Sequence, residues 1–173
     1  MASVEIPQGI TVEVKGGTII TKGHLGANER AFNSALLTAK AEQGKVTISP
    51  VQDKKLERKA GTAAQALASE VRNDMAGVTE YFETRMEAVF AHFPMTLEVK
   101  DSKLMIKNMF GERASRSADI VGSTKIEVKD KSVRIYGTRR DDVGQTAANI
   151  RAACKVRKKD ERVFQDGIYH SVA

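Results

Sequence analysis

The sequence of 173 residues is poor in the features that several classes of protein require. It contains a single cysteine, Cys154, which excludes an internal disulfide and a metal site built from cysteines alone. No apolar run reaches the roughly 18 residues that a membrane-spanning helix needs, and the N-terminus lacks the basic start and apolar middle of a signal peptide. We therefore expect a soluble, cytosolic protein without a membrane partner.

Motifs of catalysis are missing as well. The three histidines, His24, His92 and His170, lie far apart in the sequence. No HExxH pair, Walker loop, GxSxG elbow or dinucleotide-binding glycine motif is present. Only 6 Phe and 3 Tyr are available, so the core competes with any ligand for aromatic side chains. The sequence predicts neither an enzyme nor a cofactor or metal site, and His92 is expected to pack or to form hydrogen bonds.

What the sequence does contain is an internal repeat. Residues 11–26, TVEVKGGTIITKGHLG, return 85 positions later as residues 96–111, TLEVKDSKLMIKNMFG. Two shorter matches follow in the same order, residues 46–48 with 133–135 and residues 71–72 with 150–151. A chance likeness between hairpins explains one match better than three in series. One small fold is therefore built twice, and Gly26 and Gly111 are expected to mark equivalent turns.

Local patterns describe the repeated unit. Apolar residues alternate with polar ones on both sides of Gly16-Gly17, of Asp101-Ser102 and of Asp130-Lys131, which predicts three β-hairpins. A helix follows in each copy, the first opening with a capping box at residues 62–65 and the second opening at Asp142. The alignment of the two helices pairs Cys154 with Met75 on an apolar stripe, so we expect a buried thiol.

The predicted fold class is α+β. We expect two tandem domains, residues 1–81 and 82–173, each an antiparallel β-sheet with one α-helix packed on one face. The stretch from Tyr81 to Phe93 is expected to link the halves and to form the first strand of the second domain.

The two halves differ sharply in charge. Residues 1–90 hold 11 basic and 11 acidic residues, whereas residues 91–173 hold 17 and 11, so the net charge of +6 belongs to the second half. The excess is concentrated around the second helix and beyond it. Such a patch suits a nucleic acid, a membrane surface or an acidic protein, and it also suits a solvated helix end. Composition alone therefore leaves the partner open.

Five segments together resemble a known family. They are the opening VEIPQGITVEVKGGTIITKG, the strand AVFAHFP (residues 88–94), the loop NMFGERASR (108–116), the helix VGQTAANIR (143–151) and the tail DERVFQDGIY (160–169). In this order they closely resemble the large-subunit ribosomal proteins of the L-six family, and the resemblance extends over residues 6–169. The Lys-Gly-rich tail of bacterial members is absent, which favours the archaeal and eukaryotic type.

The resemblance implies a structural protein of the large ribosomal subunit without enzymatic activity. Family members bind large-subunit rRNA chiefly through the second copy, near the stalk base and the translation-factor site. The implied partners are this rRNA, neighbouring ribosomal proteins and nearby translation factors, and no obligate homo-oligomer is expected. The alternative is a protein–protein interaction module whose basic tail binds an acidic partner.

The basic residues of the second domain are the candidates for contacts with RNA, since Lys and Arg neutralise phosphates and the planar fork of Arg binds them in pairs. The predicted rRNA-binding residues are Lys107, Arg113, Arg116, Arg139, Arg140, Arg151, Lys155, Arg157, Lys158, Lys159 and Arg162. Phe164 and Tyr169 are suited to stacking on bases. We expect the tail that carries them to dock on its own domain or on a neighbouring protein instead.

Overall fold

Antiparallel strands joined by tight turns form the framework of the chain. The computed structural model describes residues 2–42, 44–51, 57–91, 93–157, 159–160 and 162–171. Contacts between residues divide the chain into two units, Met1–Tyr81 and Phe82–Ala173.

The first unit consists of six strands followed by a long helix. Its elements are β1 (Ala2–Glu5), β2 (Thr11–Lys15), β3 (Thr18–Gly23), β4 (Gly26–Ala31), β5 (Leu37–Glu42), β6 (Lys45–Pro50) and α1 (Glu57–Thr79). The strands form two antiparallel sheets, one in the order β2-β3-β4 and one in the order β1-β6-β5.

The second unit repeats this order of elements and adds a strand at its end. It contains β7 (Phe82–Val89), β8 (Thr96–Lys100), β9 (Lys103–Lys107), β10 (Arg116–Asp119), β11 (Lys125–Lys129), β12 (Ser132–Gly137), α2 (Arg140–Ala153) and β13 (Gly167–His170). One sheet has the order β8-β9-β10, and the other has the order β11-β12-β7-β13. The α+β fold class with two tandem repeats is confirmed, and the strands of each unit divide between two sheets.

The cores of the two units use matching positions of the two helices. Val71 in α1 and Ile150 in α2, 79 positions apart, are both completely buried. Met75 and Cys154 lie one turn later and are 3% and 6% exposed, so the prediction of a buried thiol is confirmed. Burying an aliphatic side chain of this size contributes about 1.5–3 kcal/mol, so these helix faces stabilise the packing of each helix on the sheets.

The predicted helix starts were wrong. The capping box fails because α1 already begins at Glu57 and Thr62 lies inside it, where Thr62 Oγ1 donates to the carbonyl of Arg58 at 3.1 Å. Helix α2 begins at Arg140 rather than at Asp142, which lies in its first turn. A carboxylate such as that of Asp142 stabilises the first turn of a helix whether or not it caps the end. Its position therefore indicates the first turn of α2 but not the first residue.

Gly26 and Gly111 do not mark equivalent turns. Only two residues, His24 and Leu25, separate β3 from β4, whereas residues 108–115 separate β9 from β10. The longer connection contains a 3-10 turn at Met109–Gly111. The second copy therefore has the longer connection at this point, named here the 108–115 loop.

Candidate nucleic-acid interface

Five of the eleven predicted residues gather at the C-terminal end of α2. The 108–115 loop, the end of this helix and the segment before β13 meet there. The side chains that they contribute are Arg116, Arg151, Lys155, Arg157 and Lys159, which line or flank two neighbouring depressions of the surface. We call this the α2-end surface.

Arg116 holds the α2-end surface together. Its Nε and Nη2 donate to both carboxylate oxygens of Glu112 at 2.8 and 2.7 Å. Its Nη1 donates to the carbonyls of Ala153 and Lys155, both at 2.9 Å. Ala153 is the last residue of α2 and Lys155 follows it by two, so Arg116 caps the helix end, where backbone oxygens lack partners within the helix. Four of the five guanidinium N–H groups are thus engaged within the protein.

Two phenylalanines form the apolar floor beside Arg116. Phe110 is 5% exposed, and its ring meets Phe164 edge to face with centroids 6.1 Å apart. The guanidinium of Arg116 lies 5.5 Å from the Phe110 centroid, and Lys159 Nζ lies 4.6 Å from that of Phe164. Stacked cations of this kind are attracted to the negative face of the ring. The aromatic pair therefore fixes two predicted cations in place.

The backbone of the 108–115 loop is strained at Phe110, whose ring it places against Phe164. Asn108 and Phe110 have φ angles of 58° and 51°, in the left-handed region that a bulky side chain seldom adopts. Asn108 Nδ2 donates to the carbonyl of Pro94 at 3.1 Å, which anchors the start of the loop. Such a conformation costs about 1–3 kcal/mol and persists because the surrounding contacts impose it.

Nearby positive charges keep the carboxylate of Glu112 ionised at the α2-end surface. The hydrogen bonds from Arg116 hold the pKa of Glu112 below its ordinary value, and the nearby charges of Lys159 and Arg157 add to the effect. Glu112 therefore stays ionised and keeps the Arg116 fork oriented. A recess of about 440 Å³ lies here, lined by Arg116, Arg157 and Glu112 among others.

A second depression runs between the end of α2 and the tail. It has a volume of about 540 Å³, with Arg151 and Lys155 on the helix side and Phe164 on the tail side. Both cations are exposed, and among the described residues neither has an acidic partner. Their charge is thus available to a ligand, unlike that of Arg116.

The tail docks on its own unit, as expected. Strand β13 pairs with β7, and Ile168 enters the core with 1% exposure. Asp166 is also buried, and its Oδ1 accepts from the backbone N–H of Ala91 at 3.0 Å. Tyr169 is 47% exposed, and its hydroxyl donates to the carbonyl of Gln165 at 3.1 Å.

Lys107 takes part in an ion pair that both copies share. Its Nζ contacts Glu98, and 85 positions earlier Lys22 contacts Glu13 in the same strand pairing. A pair that recurs in both units belongs to the repeated fold and does not distinguish the basic half. Contact of Lys107 with RNA stays a prediction.

Most of the remaining predicted residues lie away from the α2-end surface or are paired. Arg139 and Arg140 lie at the start of α2, and the rise of the helix separates Arg140 from Arg151 by about 16 Å. Arg139 Nε approaches Asp142 at 3.9 Å. Arg162 forms an ion pair with Asp160 at 2.8 Å, and Arg113 is exposed in the 108–115 loop. Lys158, like His92, lies outside the described residues.

Sequence reasoning missed the roles of Glu112 and Phe110. Glu112 was missed because its negative charge does not fit a pattern of cations that bind RNA. Phe110 was missed because the few aromatic residues were expected to pack in the core. The four-residue spacing from Glu112 to Arg116 was the only local signal, because ion pairs at that spacing are frequent.

Features of other classes of site are not found in the described part of the chain. No helix there is long and apolar enough to cross a membrane. No group of three His, Cys, Asp or Glu side chains there is arranged to hold a metal ion. Burial raises the pKa of the Cys154 thiol to about 11, which leaves little reactive thiolate at neutral pH.

Known proteins match nearly the whole chain. A family model described as Ribosomal protein L6 matches residues 93–167. The chain is 44% identical over 167 residues to a large ribosomal subunit protein uL6 of Methanocella arvoryzae, covering 96% of this chain and 93% of that protein. It is 38% identical over 167 residues to the protein of the same name from Methanosarcina mazei, with 96% and 93% covered. It is 36% identical over 171 residues to the large ribosomal subunit protein uL6 of Ignicoccus hospitalis, covering 97% of this chain and 91% of that protein.

Proposed function

The chain belongs to the uL6 family of large ribosomal subunit proteins, in its archaeal type, and on this premise we propose that it is a structural constituent of the subunit which binds rRNA through its second unit. The family is structural and not enzymatic, in agreement with the lack of catalytic motifs. Association with the ribosome also supports a cytoplasmic location.

The proposal rests on the two kinds of cation at the α2-end surface, one that forms contacts within the protein and one that is exposed to solvent. Arg116 uses its charge internally to hold the loop, the helix end and the aromatic pair together. Arg151, Lys155 and Arg157 then point exposed charge outward from a fixed support. Cations held in place lose less conformational freedom on binding than cations on a flexible chain. This arrangement suits the recognition of an RNA backbone.

Binding follows from the neutralisation of phosphates. Each phosphate contacted releases bound counterions, and log K falls with log salt by about 0.7–0.9 per contact. Arg113, Arg140 and Lys159 extend the charged area beyond the outward cations of the α2-end surface. With about four to six contacts in all, we expect a slope of about −3 to −5. Lys107, Arg139, Lys158 and Arg162 complete the proposed set.

The first unit has a different role in this proposal. Its charges nearly balance, with 10 basic and 9 acidic residues, so it contributes little attraction for phosphate. We place residues 82–173 as the main RNA-binding domain and residues 1–81 as a domain that faces neighbouring proteins. By family resemblance the assembled protein lies near the stalk base and the translation-factor site, and it forms no obligate homo-oligomer.

Filter binding of the purified chain to total large-subunit RNA at several salt concentrations tests the proposal. We expect tight binding at low salt with the slope given above, and competition by RNA rather than by an acidic polypeptide. A flat salt dependence, or better competition by polyglutamate than by RNA, would indicate an acidic protein partner and would contradict the proposal.

A further inference from the structure

The two units differ at one sheet edge. In the second unit β13 pairs with the outer side of β7, whereas among the described residues of the first unit β1 pairs with β6 alone. Strands β1 and β7 occupy the same place in their units, since Val46 and Val133 are equivalent and pair with Val4 and Met86. The first unit therefore has an open strand edge where the second has a bound strand.

The outward groups of this edge belong to Ser3 and Glu5. The N–H of Ile6 donates to the carbonyl of Gly44 at 2.8 Å, so Ile6 points toward β6. Ala88, the equivalent residue of β7, donates to the carbonyl of Lys131 at 2.7 Å in the same way. Because successive residues of a strand point to opposite sides, Ser3 and Glu5 direct their N–H and C=O groups outward.

A groove lies beside the open edge, in the position that the tail fills in the second unit. It has a volume of about 670 Å³ and is lined by β1 together with Arg72, Met75 and Ala76 of α1. The equivalent residues of α2, Arg151, Cys154 and Lys155, line a groove whose other side is formed by the β13 segment. The same helix face therefore lies beside the chain's own β13 segment in the second unit, whereas in the described part of the first unit no strand pairs at the equivalent edge.

The chemistry of the groove favours a polypeptide over RNA. Val4, Met75, Ala76 and Pro7 give it an apolar lining. The charges at its rim offset one another, since the lining contains Arg72 as well as Glu80 and Glu5 is paired with Lys45 at 3.0 Å, so the groove presents no basic patch to phosphate. An open edge of unpaired backbone groups is a template for a further strand. Pro7 lacks an N–H, which limits such pairing to Ser3 and Glu5.

We propose that the open edge of β1 binds an extended segment of a neighbouring protein of the large subunit, antiparallel to β1 and with an aliphatic side chain facing α1. The template for this segment is β13, in which Ile168 lies opposite Ala88 and inserts under α2. The corresponding side chain of the partner lies opposite Ile6 and next to Met75. This inference rests on the proposed function, since it requires assembly into the subunit.

Photo-crosslinking in assembled large subunits tests the proposal. A benzoylphenylalanine at position 76 is expected to crosslink to one segment of another ribosomal protein. The same group at the equivalent position 155 serves as a control, because residues of the chain's own tail line the groove there, so an intramolecular crosslink to the tail should form beside any crosslink to rRNA. Filter binding shows separately whether each labelled chain still binds RNA, which tests the proposed function independently of the docking site.

Proline variants show whether the strand edge makes the contact. Glu5→Pro removes the outward N–H and is expected to lower the crosslink yield at position 76 about tenfold, whereas Glu5→Ala keeps it. Ser3→Pro and Ser3→Ala repeat the comparison at the other outward residue. The RNA affinity of the free chain should not change in any of the four variants.

Several outcomes would overturn the inference. They are, at position 76, a crosslink to RNA, a crosslink to a second copy of this chain, no crosslink in assembled subunits, or a crosslink that both proline variants retain. If the chain binds RNA and enters subunits but shows one of these outcomes, only the docking site is wrong. If it neither binds RNA nor enters subunits, the proposed function fails and the docking site with it.

Discussion

Replacing Arg116 by methionine removes four hydrogen bonds but keeps an unbranched apolar stem. Hydrogen bonds to charged groups contribute about 1.5–3 kcal/mol each in net terms. Glu112 is partly exposed, so water replaces much of what it loses, while the carbonyls of Ala153 and Lys155 lose the cation that caps them. We therefore expect the second unit to lose about 2–4 kcal/mol of its free energy of opening.

The single cysteine reports this opening directly. Cys154 follows α2 between the two carbonyls that Arg116 caps, and it is 6% exposed. A thiol reagent reacts with it only when the region opens, so the labelling rate follows the population of the open state. A loss of 2–4 kcal/mol corresponds to labelling that is about 30 to 1000 times faster in Arg116→Met.

Arg134→Met is the matched control. Arg134 also contacts carboxylates, those of Glu83 and Glu127, but its side chain is 47% exposed on a strand surface. Water and salt screen an exposed pair of this kind, so labelling of Cys154 should rise far less than in Arg116→Met. If Arg116→Met labels at the wild-type rate, or if Arg134→Met accelerates labelling equally, the role assigned to Arg116 is wrong.

Three further predictions concern single sites. Folding lowers the pKa of Glu112, so its contribution to stability is complete above the ordinary pKa of 4.5 and is lost as pH falls through the folded pKa. An NMR titration of Glu112 should have its midpoint below pH 4.5, and a midpoint at or above 4.5 would contradict the contact with Arg116. Asp74→Ala should destabilise the first unit by about 3 kcal/mol in urea unfolding, because it leaves the 10%-exposed Arg30 guanidinium without its bidentate carboxylate; a loss below 1 kcal/mol argues against this. Gly23→Ala should lower the melting temperature measured by circular dichroism, since its Cβ would lie 2.8 Å from the Val78 carbonyl oxygen, and an unchanged melt would refute that close packing.

Features with short-range causes were predictable from the sequence. The hairpin at Gly16-Gly17 follows from two residues that adopt positive φ, and that at Asp101-Ser102 repeats it with φ angles of 47° and 60°. Helix faces were predictable because burial imposes a 3.6-residue period, as the buried Val71 and Ile150 show.

Features with long-range causes were not predictable. The division of each unit into two sheets depends on pairing between distant strands, such as β1 with β6. The same holds for β13, which joins β7 across about 80 residues of chain. Local patterns specify that a segment is extended but not which edge it meets.

At the candidate site the charge pattern located the basic region but could not sort its members. Arg116 and Arg151 look alike in sequence, yet one caps a helix inside the protein and the other is exposed. The difference arises from the 108–115 loop, whose strained backbone at Phe110 brings Arg116 and Glu112 to the end of α2. Such a contact depends on tertiary structure and leaves only the weak spacing signal in the sequence.

The internal repeat provides the most direct test of RNA binding by the second unit. Arg151 in α2 and Arg72 in α1 are exposed arginines at equivalent helix positions, 79 residues apart. In filter binding to large-subunit RNA, Arg151→Glu should weaken affinity about tenfold and reduce the salt slope by about one. Arg72→Glu should stay within about twofold of wild type, because the first unit contributes little to binding. Equal losses in the two variants, or none in Arg151→Glu, would contradict the assignment of the RNA-binding surface to the end of α2.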